Sequence, residues 1–175
     1  FVTRIADDGT TRVTFGDGKS EPLEAAEAQG ALPPDMKTRL VIYVDNLNIQ
    51  PQNRNRMFKR LKEFVAQTVG PRTEAEVITY NRSLKVKRRF TSDASEIVGA
   101  LEEIELETGA GTSLASERRD AISRINESTD PNQALQIART YSRSLRNDLQ
   151  FATDAIKDTI NQLSGMKGRK VLVYV

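Results

Sequence analysis

The residues best suited to chemistry are Asp45-Asn46-Leu47-Asn48-Ile49, directly after the apolar run Leu40-Val-Ile-Tyr-Val44. A carboxylate beside side-chain amides is an oxygen-rich set that suits a hard divalent cation such as Mg2+. The same residues equally suit a plain turn, in which Asp45 caps the next helix or accepts backbone amides. Gly109-Ala-Gly-Thr-Ser113 sets glycines and hydroxyls at a predicted helix start, where backbone amides can meet an anion. It lacks the lysine and the spacing of a P-loop. Arg82, Lys85, Lys87, Arg88 and Arg89 form a basic block without an acid. Such a block fits a nucleic-acid or lipid surface, or an edge strand whose lysines discourage aggregation. The stretch Asp93 to Glu107 that follows holds six acids and no base, which favours mutual neutralisation.

Composition narrows the chemistry. The chain has 175 residues, enough for one domain with a sizeable core. With 26 basic and 24 acidic residues the net charge is +2, so total charge implies no polyanion partner. There is no Cys and no His. That removes thiol nucleophiles, disulfides, imidazole bases and zinc sites with the usual ligands. No apolar run is long enough to span a bilayer, and no signal-peptide pattern is present. The chain opens at Phe1 and stops inside the apolar stretch Lys170-Val-Leu-Val-Tyr-Val175, which reads as a piece of a longer protein.

These residues need a scaffold, and the patterning supplies one. Phe1–Ile5 and Thr11–Phe15 alternate as short strands around an Asp8-Gly9 hairpin signal. Gly16-Asp-Gly18 predicts a further turn, and Leu23 to Ala31 a short helix. Pro33-Pro34 marks a linker, so residues 1–35 form an arm and 36–175 the main domain. Leu40 to Val44 reads as a strand buried on both faces, the centre of a parallel sheet. Pro51 opens a helix with Met57, Leu61, Phe64 and Val65 on one face. Glu76 to Tyr80 is a second strand, and Leu84 to Phe90 an exposed edge strand. Asp93 caps a helix carrying Ile97, Leu101 and Ile104, and Thr112 or Ser113 caps the next. From Pro131 a helical stripe runs to Leu163, with Gly165 as its terminating C′ residue. That helix would be roughly 50 Å long, against about 20 Å for a typical strand. It overhangs the sheet, so its far end either meets a partner or folds back on the preceding helix.

The strand and loop Leu40–Asn48, the Arg54-Asn-Arg56 helix start, Val77-Ile-Thr-Tyr80, Phe90-Thr-Ser-Asp93 and Gly168-Arg-Lys-Val-Leu-Val-Tyr-Val175 together resemble the von Willebrand factor type A domain. The likeness is to its bacterial "VWFA-related" branch and covers about Met36 to Val175. Gly16-Asp-Gly-Lys19 is similar to a hairpin that often precedes such domains. The resemblance implies a doubly wound, mostly parallel α/β sheet of Rossmann-like type, here truncated after its fourth core strand, with a long extra helix and an amino-terminal β-hairpin arm. It also implies a metal-ion-dependent adhesion site with the pattern Asp-x-Ser-x-Ser, a loop Thr and a later Asp. Asp45 matches the first Asp and Thr112 the loop Thr. Leu47 and Ile49 stand at the serine positions and offer no hydroxyl. The site is therefore expected to be degenerate, with Mg2+ held weakly at Asp45 and Thr112 or not at all.

The leading expectation is a non-catalytic, protein-binding or scaffolding module of a bacterial envelope or extracellular assembly, in the periplasm or on the extracytoplasmic surface. Its partners are proteins, contacted through Asn46, Asn48, Gly111 and Ser113; neither nucleic acid nor membrane insertion is expected. A rival follows from Val44-Asp-Asn-Leu-Asn-Ile49, which also resembles the first-strand motif of NYN/PIN-like ribonucleases. There Asp45, with Asp120 and Asp154 as further candidates, would bind Mg2+ for phosphodiester hydrolysis. The third expectation is a structural subunit without a ligand site.

Overall fold

The computed structural model describes residues 2–7, 10–28, 32–107, 109 and 111–175. Strands β1 (Val2–Ile5), β2 (Thr11–Thr14) and β3 (Ser20–Pro22) form an antiparallel sheet in that order. Helix α1 (Leu23–Ala28) packs on it, burying Ala26 beside the fully buried Val13. The expected two-strand hairpin thus gains a third strand. Ser20-Glu-Pro22 has no apolar alternation, and a proline is tolerated there only because the strand is an edge. Gly18, at φ +84°, makes the turn into it. The Asp8-Gly9 turn lies outside the described residues.

The main sheet is built from β4 (Thr38–Asp45), β5 (Thr73–Tyr80), β6 (Leu84–Thr91) and β7 (Arg169–Tyr174), in the order β6-β5-β4-β7. β4 pairs in parallel with β5 and β7, and β6 joins β5 antiparallel at the edge. The sheet is mixed but mostly parallel and is flanked by helices, an α/β arrangement compatible with a Rossmann-like fold. Numbered by occurrence, its strands run 3-2-1-4, the first part of the doubly wound order. The continuous burial of Leu40 to Val44 follows from its central place, with helices on both faces.

Helices α2 (Pro51–Thr68) and α3 (Ala94–Leu106) cover one face. Phe58, Leu61, Val65, Ile97, Leu101 and Ile104 pack there against Leu40, Ile42, Val44 and Val77. Two details of the expected α2 stripe change. Phe58 is fully buried, whereas Phe64 is 38% exposed, beside the open edge of β7. Asp93 caps α3 as expected, its Oδ1 accepting from the Ser95 amide at 2.8 Å.

Helices α4 (Gly111–Glu127) and α5 (Pro131–Ser164) lie on the other side. α5 buries Ala155, Thr159 and Leu163 in its carboxyl-terminal half, where the second core holds Val41, Tyr43, Ile78 and Tyr80. Its amino-terminal half runs beside α4 as a helical hairpin. Arg82, in a left-handed turn at φ 58°, ties this hairpin to the sheet through Glu117 at 2.9 Å and Asp148 at 3.8 Å. Thr112 and Ser113 sit inside the first turn of α4, not at its cap, because Gly111 already begins the helix. Gly165 is right-handed at φ −76°. The left-handed residue is Gly168 at φ +86°, where a Cβ would strike the carbonyl oxygens of Lys37 and Pro34. Close approach of two chain segments, and not helix termination alone, sets glycine there.

Candidate functional site

The crossing from β4 to β5 uses α2 on one face, and the return to β7 uses α4 and α5 on the other. The chain therefore changes direction at the carboxyl ends of β4 and β7, the place where open α/β sheets form a crevice. Asp45 ends β4 there, and Val175 pairs with it through the Asp45 amide at 2.7 Å.

Asp45 is only 4% exposed. Its Oδ1 accepts the Asn48 backbone amide at 3.2 Å, while its Oδ2 accepts the Asn48 side-chain amide at 2.8 Å and the Tyr174 hydroxyl. The backbone bond three residues on holds the turn after β4 closed from the side chain. Asp45 does not cap the following helix: α2 starts at Pro51, and its N-cap residue Gln50 makes no side-chain cap bond. The turn is stapled on both sides of the sheet. Leu47 enters the core beneath α5, and Ile49 packs against the core beneath α2.

Asn46 corrects the expectation of an exposed contact loop. It is fully buried, and its Oδ1 accepts from the Arg54 guanidinium. Arg54 also donates to the carbonyl oxygens of Ile104 at 2.5 Å and Glu107 at 2.8 Å, and stacks over Phe58 at 5.0 Å. One guanidinium thus satisfies orphan carbonyls at the end of α3 and fixes the turn after β4. Burial lowers its pKa, opposed by Glu105 and Glu107.

The loop before α4 lies on this turn. A Cβ on Gly111 would stand 2.9 Å from the Ile49 carbonyl oxygen, and one on Gly109 3.5 Å from that of Asn46. The turn after β4 and the start of α4 thus share one rim. Thr112, Ser113 and Asn48 are exposed, and Ser113 donates to Glu117 at 3.2 Å. Ala110 lies outside the described residues.

A row of tyrosines lies beneath the rim on the α5 face. Tyr43 stacks on Tyr174 at 5.5 Å and on Tyr80 at 6.5 Å between centroids. The buried hydroxyls of Tyr43 and Tyr80 have no protein partner among the described residues. Burial first, and then the negative charge of Asp45, raises the pKa of Tyr43. Burial, with the bond to Asp45, raises Tyr174 to about 12. Burial, with Asp148 and Asp45, raises Tyr80. These phenols stay protonated near neutral pH, so they donate and do not serve as bases. Sequence reasoning passed over them because three tyrosines spread over three strands look like core residues.

This arrangement offers a hard cation few free oxygens. Both carboxylate oxygens of Asp45 already accept protein donors, and Leu47 and Ile49 supply none. Among the described residues no three Asp or Glu side chains gather in a metal-binding group. Asp120 lines the groove between α4 and α5, and Asp154 is engaged by Gln150 and Lys157. No family model matches the chain, and no curated protein matches it.

Proposed function

We propose that the chain is a von Willebrand type A-like module that binds protein partners without catalysis, in a bacterial envelope or extracytoplasmic assembly, and that its metal site has been given up. The observation that carries this reading is the engagement of Asp45 by Tyr174 and Asn48. A residue positioned to coordinate a cation is spent on holding the rim together. The strand order 3-2-1-4 and the position of Asp45 at the direction change support the family. The dispersal of Asp45, Asp120 and Asp154 argues against metal-dependent phosphodiester hydrolysis, which needs converging carboxylates.

The exposed rim formed by Asn48, Thr112 and Ser113 is the proposed contact surface. Mg2+ is expected to leave the melting temperature unchanged, since an ion that does not bind the native state cannot stabilise it. Partner capture from envelope extracts is expected to survive chelation, and to fail with Asn48→Arg plus Ser113→Arg. Loss of capture on chelation, or a melting temperature that climbs with Mg2+, overturns the metal-free reading. Magnesium-dependent cleavage of RNA overturns the non-catalytic one.

A further inference from the structure

We infer that the solvent face of α5 docks on an anionic lipid surface. Residues 131 to 147 of this helix hold Arg139, Arg143 and Arg146 and no acid. None of the three guanidiniums has a carboxylate within ion-pair distance among the described residues, whereas Arg39, Lys62, Arg82, Lys87 and Arg88 each face a glutamate. The three arginines line one shallow depression of about 390 Å³, together with Ala138 and Ser142. They lie over about 10 Å of helix.

The placement is outward. The groove toward α4 is lined by Gln133, Gln136, Ile137, Thr140, Tyr141 and Ser144 of α5. With a helical period of about 3.6 residues, Arg143 lies at the edge of that groove beside Gln136, and Arg139 and Arg146 point to the side well away from it. Leu135 and Leu149 fall there too, and are 47% and 69% exposed. Exposed leucines flanking unpaired arginines on one stripe make an amphipathic surface of the kind that lies in a headgroup layer. No described helix is long and apolar enough to cross a membrane, and the contact proposed is interfacial.

The guanidinium fork matches the oxygens of a phosphodiester headgroup, and the leucines reach the acyl boundary. The leucines decide against single-stranded nucleic acid, which would call for aromatic platforms on this face; Tyr141, the aromatic nearest the arginines in sequence, lies in the groove toward α4. The whole chain carries only +2, so the attraction is local to this face.

The test is co-sedimentation of the whole chain with phosphatidylcholine vesicles, with and without added phosphatidylglycerol, beside a single-stranded RNA oligonucleotide. Binding is expected only with phosphatidylglycerol, and it weakens with salt. At about fivefold per arginine near an anionic surface, R139Q/R143Q/R146Q loses on the order of a hundredfold in affinity. The matched triple R118Q/R119Q/R124Q on α4 loses far less. L135S/L149S removes the binding that persists at elevated salt. R143Q alone, expected to lose about fivefold, serves if the triple variant melts early. Equal binding to both vesicle types, equal loss in the two triple variants, or RNA binding tighter than vesicle binding and indifferent to L135S/L149S overturns the inference.

Discussion

Tyr174 donates its phenolic hydrogen to Oδ2 of Asp45, joining residues 129 positions apart at the carboxyl rim of neighbouring parallel strands. The bond joins the end of β7 to the turn after β4. Tyr174→Phe is expected to cost about 1–2 kcal/mol at neutral pH, measured by urea denaturation. The pH dependence has a definite sign. The folded pKa of about 12 lies above the ordinary 10.0, so the contribution is full below pH 10. It is lost as pH rises from about 10 towards 12. Parent and variant should converge in that window and stay apart below it.

Arg54 carries more than its position on a helix surface suggests. Arg54→Met leaves the buried Asn46 carbonyl and the α3 carbonyls without a donor, at an expected cost of about 2–4 kcal/mol. Arg54→Lys should recover less than half of that, because a compact ammonium lacks the guanidinium fork that reaches all three acceptors. Equilibrium unfolding of the two variants checks both values.

Glu76 is a buried carboxylate, 2% exposed on the α5 face, with an Oε2 that has no partner among the described residues. Burial raises its pKa, only partly offset by Arg89. A folded pKa above the unfolded value means stability is fully present below the ordinary 4.5 and is lost as pH rises through the folded value. Glu76→Gln removes this loss. The variant should melt higher than the parent at neutral pH, by about 2–4 °C if the gain is near 1 kcal/mol. It should match the parent in acid, a pattern readable by thermal denaturation across pH.

Two glycines should behave in opposite ways. Gly168→Ala introduces a Cβ against the backbone of Lys37 and Pro34 at a left-handed φ, and is expected to cost about 2–4 kcal/mol. Gly16→Ala meets nothing within 4 Å and no positive φ. It should change stability by less than about 1 kcal/mol. Comparison of the two denaturation midpoints tests the contrast.

The central strand was legible because Leu40 to Val44 is a continuous apolar run, which a sheet covered on both faces demands; Val171 to Val175 carries the same apolar pattern but forms the half-exposed edge strand β7, because no described strand covers its outer side. The edge strand was legible from the alternation of Leu84 and Val86 with lysines. Ser20–Pro22 was not, since a three-residue polar edge strand carries no periodic signal. At the rim, the position of Asp45 followed from the end of its strand, but its partners did not. Tyr174 reaches it only through the register of β7 on β4. The opposite fates of Asn46 and Asn48 depend on Arg54 and on α3, both distant in sequence. Local patterning marks where a side chain starts, while long-range packing decides what it touches.

Leu47 and Ile49 root the turn after β4 in two separate cores. Serines placed at those positions would pull two anchors at once and set loose the segment that carries Asp45, so hydroxyl ligands beside that carboxylate are barred by folding before they are barred by chemistry.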